Sequence, residues 1–278
     1  MKARTFAAAA ALLIAQAVDS QLLSPGSQAP AYADLADLAL GAPVAAHLRL
    51  RDSDLLDAQQ APNVPQGHRR FLIEADVVAL IRGSGGLPAR VSYLVDLPND
   101  SRGRPARVER RSEVLVFASR VPNREGELRL AAPDAQIPYA PETAERLRAI
   151  LRESSAANAP PRITGIGRAF HVEGSIRGEG ETQIFLQTAD QRPISLNILR
   201  RPGQRPRWSV ALSEIVDEAA APPAPDTLLW YRLACTLPAR LPRQSLSEAG
   251  AEEARAIQAD YQVVVEGLGR CVRARARR

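Results

Sequence analysis

The stretch Arg90-Val-Ser-Tyr-Leu-Val-Asp-Leu97 decides the fold class. Val91, Tyr93, Val95 and Leu97 fall on one side of an extended chain, the period-two alternation of a strand with one buried face. Working outward, the same signals recur at Val44–Leu50, Arg70–Ile81, Glu113–Ser119 and Glu127–Ala131, each bounded by Gly, Pro, Asn or Asp. Five strands at this spacing suit a small closed barrel or sandwich. A short amphipathic helix, Tyr32–Leu40, precedes them. A second helix, Thr143–Arg152, follows Pro141 with Leu147, Ile150 and Leu151 on one stripe.

Ser154–Pro161 (Ser-Ser-Ala-Ala-Asn-Ala-Pro-Pro) reads as an interdomain linker. Beyond it, Ile163–His171, Thr182–Thr188, Ile194–Leu199 and Trp208–Leu212 read as an antiparallel meander. Asp226 is the expected N-cap of a helix over Thr227–Leu237. A last helix over about Ser247–Gly267 is expected to bury Ala256, Ala259, Val263 and Val264. The expected class is therefore α+β: a barrel domain at 31–153, the linker at 154–161, a small antiparallel sheet at 162–218, a helical hairpin at 226–271 and a basic tail at 272–278.

Lys2 and Arg4, the apolar run Phe6–Ala15 and Ala15-Gln16-Ala17 read as a secretory signal peptide over residues 1–17. Its apolar run is too short to cross a bilayer as a helix. The expected location is periplasmic or secreted. In that compartment two cysteines, Cys235 and Cys271, point to one disulfide. Neither has the CxxC spacing of a metal or redox pair.

The formal net charge of +5 is unevenly placed. Five arginines occupy the last nine residues, so that Val18–Gly269 holds 29 basic against 31 acidic residues. A body of that balance argues against nucleic-acid binding. The tail could give weak contact with an anionic membrane surface. Aromatics make up 4% of the chain, too few for a base- or sugar-stacking platform.

Phe71–Ile81 with its Arg82-Gly83 turn, Val91–Leu97 and Val114-Leu115-Val116-Phe117 resemble exported barrel domains of the OB type. The netrin and metalloproteinase-inhibitor branch is similar in strand order but works through N-terminal cysteines that this chain lacks, so inhibition is not implied. The whole chain resembles exported bacterial proteins without an assigned function, in Tyr32-Ala-Asp-Leu-Ala-Asp-Leu, Gly178-Glu-Gly-Glu-Thr-Gln-Ile-Phe-Leu and Trp230-Tyr-Arg-Leu-Ala-Cys235.

Such a barrel would bind between its first connecting loop and its last hairpin. Taking the first loop as Arg51–Arg69, the expected binding surface is Arg51, Asp52, His68, Arg69 and Arg124. Catalytic machinery is not legible. The three histidines, His47, His68 and His171, form no HxH or HExxH motif, and Gly174-Ser-Ile-Arg-Gly178 is not a nucleophile elbow. Gly83-Ser-Gly-Gly86 lacks the lysine of a phosphate loop. His171, Glu173, Glu179 and Glu181 match no metal motif, and no metal or cofactor is expected. The expected function is a non-catalytic envelope module binding a protein or acidic polymer. A carboxylate-dependent hydrolase and a structural accessory without a ligand are the alternatives.

Overall fold

The computed structural model describes residues 29–212 and 220–275. The expected signal peptide at 1–17 lies outside the described residues. Five strands form the first half: β1 Val44–Leu55, β2 His68–Arg82, β3 Arg90–Pro98, β4 Glu113–Arg120 and β5 Glu127–Leu130. Their order is β1-β2-β3-β5-β4, and β4 returns to pair with β1. Every neighbouring pair is antiparallel except β3–β5, which is parallel through Ser92↔Glu127 and Tyr93↔Leu128. The result is a closed five-stranded mixed barrel.

Closure requires β1 to bend, because Val44–Arg49 pairs with β4 while the whole strand pairs with β2. Three register irregularities along β1 supply the bend. The barrel is filled by Leu48, Leu50, Phe71, Ile73, Val91, Tyr93, Val95, Val114, Val116 and Leu128. The buried Tyr93 hydroxyl donates to Gln136 Oε1 at 2.6 Å. β4 is apolar on both faces: Val114, Val116 and Ala118 point inward, whereas Leu115 and Phe117 join a second core outside the barrel. That double burial accounts for the unbroken Val-Leu-Val-Phe run.

The second core is built under helices α1 (Tyr32–Gly41) and α2 (Pro141–Ser155) and strand β6 (Gln136–Pro138), which adds to β4. It continues without interruption into a four-stranded antiparallel sheet of β7 Ile163–Glu173, β8 Gly180–Thr188, β9 Ile194–Arg200 and β10 Arg207–Ala211, in the order β10-β9-β8-β7. Leu35, Leu147 and Ile150 share this cluster with Ile184, Leu196 and Ile198, and with Trp230, Leu233, Ile257 and Tyr261 from α3 (Leu228–Ala234) and α4 (Ala251–Leu268). The expected boundary at 154–161 therefore separates strands but not cores, and Ser154 and Ser155 still belong to α2.

Three expectations are corrected in the helical layer. Thr227, not Asp226, caps α3, its hydroxyl oxygen accepting from the Trp230 amide at 3.2 Å. The buried stripe of α4 is Ile257, Asp260, Tyr261, Val264 and Leu268, while Ala259 is exposed. A carboxylate at the centre of the stripe defeats a count of apolar residues.

The tail is the third correction. Cys235 and Cys271 form a disulfide. Beyond it Arg273 pairs with Asp37 at 2.7 Å, the Ala274 amide donates to Asp34 at 2.7 Å and Arg275 pairs with Asp134 at 2.8 Å. Two of the charges expected to be available to a membrane surface, those of Arg273 and Arg275, are thus spent on α1 and the β5–β6 connection. Arg277 and Arg278 lie outside the described residues. Among the described residues no helix is long and apolar enough to cross a membrane.

Candidate functional site

The outer face of β2 and β3 carries the candidate site. Antiparallel register sets Arg70 opposite Asp96, Leu72 opposite Leu94, and Glu74 opposite Ser92. Arg70 grips Asp96 with both arms of its guanidinium, Nε to Oδ1 at 2.7 Å and Nη2 to Oδ2 at 2.9 Å. Asp96 is only 2% exposed, and its hydrogen bonds hold Arg70 more firmly protonated than an isolated arginine. Beside this pair an apolar couple, Leu72 and Leu94, faces outward, with Leu94 45% exposed.

The opposite wall is β5 and the β4–β5 loop. Gly126 has φ +83°, and a Cβ there would stand 3.2 Å from the Arg90 carbonyl oxygen, so glycine is what lets the loop lie against β3. The Ser92 amide then donates to the Gly126 carbonyl at 2.8 Å. The ladder lasts two residue pairs before the strands part, and the next tie is the Asp96 amide to the Pro133 carbonyl at 2.8 Å. The result is a groove of about 810 Å³ lined by Arg70, Leu72, Leu94, Arg124, Glu127 and Arg129, among others. Arg124 holds Glu127 at 3.1 Å. Arg129 is exposed, and its guanidinium has no hydrogen-bond or ion-pair partner among the described residues.

Of the expected binding residues, Arg124 alone lines this groove. Arg51 pairs with Asp76 at 3.1 Å and Asp52 with Arg110 at 2.9 Å, both on β1 with the width of β2 between them and β3. Arg110 and the Ser53 amide hold the Asp52 carboxyl below its ordinary range. His68 turns its Nδ1 to the Gln66 carbonyl, and Arg69 donates to the His68 carbonyl. His68 lies opposite Pro98, six residues along β3 from Ser92, or roughly 20 Å at strand rise. The five residues do not form one surface. The first loop is also shorter than expected, residues 56–67, because the β1–β2 ladder runs on to Leu55↔Phe71. Arg70, Leu94, Asp96 and Arg129 were missed. The available signal was Leu94, an apolar residue on the solvent side of the 90–97 alternation.

A second cluster has the vocabulary of catalysis. His171 Nδ1 lies 2.7 Å from Thr182 Oγ1, the Thr182 hydroxyl donates to one Asp260 oxygen, and Arg200 Nε donates to the other. Its order is wrong for a triad, because the hydroxyl sits between imidazole and carboxylate and its proton is given to the acid. Thr182 and Asp260 have no solvent exposure, and neither the concavity beside Trp208 and Pro222 nor the one beside Phe170 and Phe185 is lined by His171, Thr182 or Asp260. The arrangement fastens α4 to β8 and β9. No group of three His, Cys, Asp or Glu suited to a metal occurs among the described residues.

Two other motifs are also absorbed by structure. His47 stacks on Tyr139 with ring centroids 3.8 Å apart and meets Glu113 at 2.9 Å, whose carboxyl Arg49 and His47 hold below its usual range. The loop at 83–86 receives a cation: the Arg120 guanidinium donates to the carbonyls of Ser84, Gly85 and Gly86. No protein-family model matches the chain, and no curated protein matches it.

Proposed function

We propose that this chain is an exported, non-catalytic binding protein of the cell envelope, whose barrel receives an extended acidic ligand along the β3–β5 groove. The observation that carries the reading is the groove itself. It has an apolar floor on the β2–β3 face beside the β4–β5 loop, where OB-type barrels take oligomeric ligands, and Arg129 stands in it without a carboxylate. A guanidinium fork matches a carboxylate or phosphate in bidentate geometry. Leu72 and Leu94 would take the apolar edge of the same ligand. The groove's own carboxylates, Asp96 and Glu127, are each held by an arginine, which speaks against a hydrolase that needs one of them as a free acid or base. Export is supported by the charged, apolar and small-residue order of residues 1–17 and by the disulfide.

The test is titration of the full mature chain with an acidic polymer, oligogalacturonate, and with neutral dextran as control. The expected result is salt-sensitive binding of the acidic polymer that drops at least tenfold in Arg129→Glu. Equal affinity for both polymers, or no effect of the substitution, would remove the acidic-ligand reading. Mass spectrometry of the periplasmic protein checks export separately, with Val18 expected as its first residue.

A further inference from the structure

A second concavity lies at the other end of the longest strand, twelve residues along β2 from Arg70. Ile81 and Arg82 of β2 meet Arg148, Leu151, Arg152 and Ser155 of α2 around a space of about 340 Å³. Ile81 and Leu151 are half-buried extensions of the main core and make its floor apolar. Three guanidiniums stand around that floor, and no acidic residue lines it among the described residues.

The charge pattern is what local structure alone does not explain. Arg148 and Arg152 are four residues apart on one helix face, a like-charge spacing that works against the helix. Arg82 adds a third positive group from a different element. Among the described residues, one carboxylate touches this trio: Glu145, itself largely exposed, meets Arg148 at 2.6 Å. Arg82 donates to the Ala39 carbonyl, which fixes its position and leaves its charge without a carboxylate partner among the described residues. Arg152 has no partner among the described residues. Its place in the last turn of α2 suits the helix dipole, but that favours one arginine and not the gathering of three.

We propose that this cavity is an anion site for a phosphate ester whose organic part is apolar, the phosphate lying between the guanidiniums of Arg148, Arg152 and Arg82 and the apolar part resting on Ile81 and Leu151. A bare inorganic anion would use only the rim. An ester with an alkyl group uses rim and floor together, each methylene buried on the floor adding to its affinity. The site is separate from the β3–β5 groove and does not depend on what that groove binds.

The experiment is calorimetric titration of the full mature chain with three probes: inorganic phosphate, a soluble lysophosphatidylglycerol below its micelle concentration, and phosphatidylglycerol vesicles with phosphatidylcholine vesicles as control. Lysophosphatidylglycerol is expected to bind at least tenfold more tightly than phosphate. Arg148→Gln with Arg152→Gln should cost at least tenfold, with circular dichroism unchanged. The charge-matched pair Arg102→Gln with Arg107→Gln, on the β3–β4 loop, should leave binding as it is. Binding of the soluble lipid alone identifies a free ester as the source, and added affinity for phosphatidylglycerol vesicles identifies a membrane. Equal affinity for phosphate and the lysolipid, or equal losses in both double variants, would overturn the proposal.

Discussion

The barrel and the four-stranded sheet hold themselves together by different means. In the barrel each of the five strands has a neighbour on both sides, so closure removes the edges, and a private core fills the interior. The sheet of β7–β10 does not close. One of its faces is covered by helices from distant parts of the chain, fastened by the Asp260 cluster, the Trp230 indole donating to the Leu268 carbonyl at 2.8 Å, and the disulfide with the docked segment beyond it. A closed barrel can leave its outer face for a groove without losing integrity. The sheet and its helices have no such freedom, because their polar contacts are structural ties.

Alkali should separate the two regions most strongly. Burial and the Asp37 carboxylate push the Tyr231 phenol up to about 12, and burial pushes Tyr261 to about 12. Tyr32 is raised by burial and by the charges of Glu153 and Asp226. All three lie in the helical layer, against one comparably shifted phenol, Tyr93, in the barrel. An unfolded phenol loses its proton near pH 10. Between that value and about 12 the folded state holds more protons than the unfolded one, so stability falls as pH rises and the contribution is gone above the folded pKa. The two tryptophans, Trp208 in β10 and Trp230 in α3, report this region alone. Their fluorescence should change together with phenolate absorbance between pH 10 and 12 while barrel methyl resonances persist. Simultaneous loss of every signal would mean that the shared core makes one cooperative unit.

The disulfide comes next. It closes a loop with a sequence separation of 36 residues, for which chain entropy gives about 4 kcal/mol. Cys235→Ala with Cys271→Ala should lose that much in denaturant unfolding and also release Arg273 and Arg275 from Asp37 and Asp134. Hydrogen exchange should accelerate in α3 and α4 and stay slow in β1–β4. Asp260→Ala follows at about 3 kcal/mol, since it leaves Arg200 and Thr182 facing an empty position in the interior. A loss below about 1 kcal/mol would show that water replaces the carboxylate and that the cluster is not a fastening.

These two sites also mark where the sequence stops being informative. Strand positions in both sheets follow from period-two patterning and turn residues, and β4 from its apolar run, because those signals are local. The α4 stripe is hidden by Asp260, whose burial depends on Thr182 and Arg200 from two strands. The Ala-Asp-Leu repeat of α1 places leucines correctly, yet Asp34 is buried because a segment 240 residues later donates to it. The groove is similar. Its location is implied by the barrel type, but the Arg70–Asp96 pair exists only through the β2–β3 register, 26 residues apart. Loop length points to Arg51, Asp52, His68 and Arg69, but β1 runs on to Leu55 and β2 starts at His68, so all four stand on strands and only residues 56–67 remain as loop.

The smallest effect on stability is the sharpest test of the contrast. Arg129 is exposed on β5, makes no described polar contact and belongs to the region whose integrity rests on backbone closure. Arg129→Ala should therefore change stability by less than about 0.5 kcal/mol, the range of surface substitutions away from special features. Arg273→Ala, which removes one of the partners of Asp37 in the helical layer and leaves the Tyr231 hydroxyl on it, should cost more, about 1 kcal/mol or above. The two substitutions delete the same side chain and charge. If the closed barrel carries its groove independently of its stability and the helical layer cannot, urea midpoints will separate them in that order. If Arg129→Ala destabilises as much as Arg273→Ala, the guanidinium helps hold β5 in the barrel, and the groove loses the unpaired charge on which its acidic ligand depends.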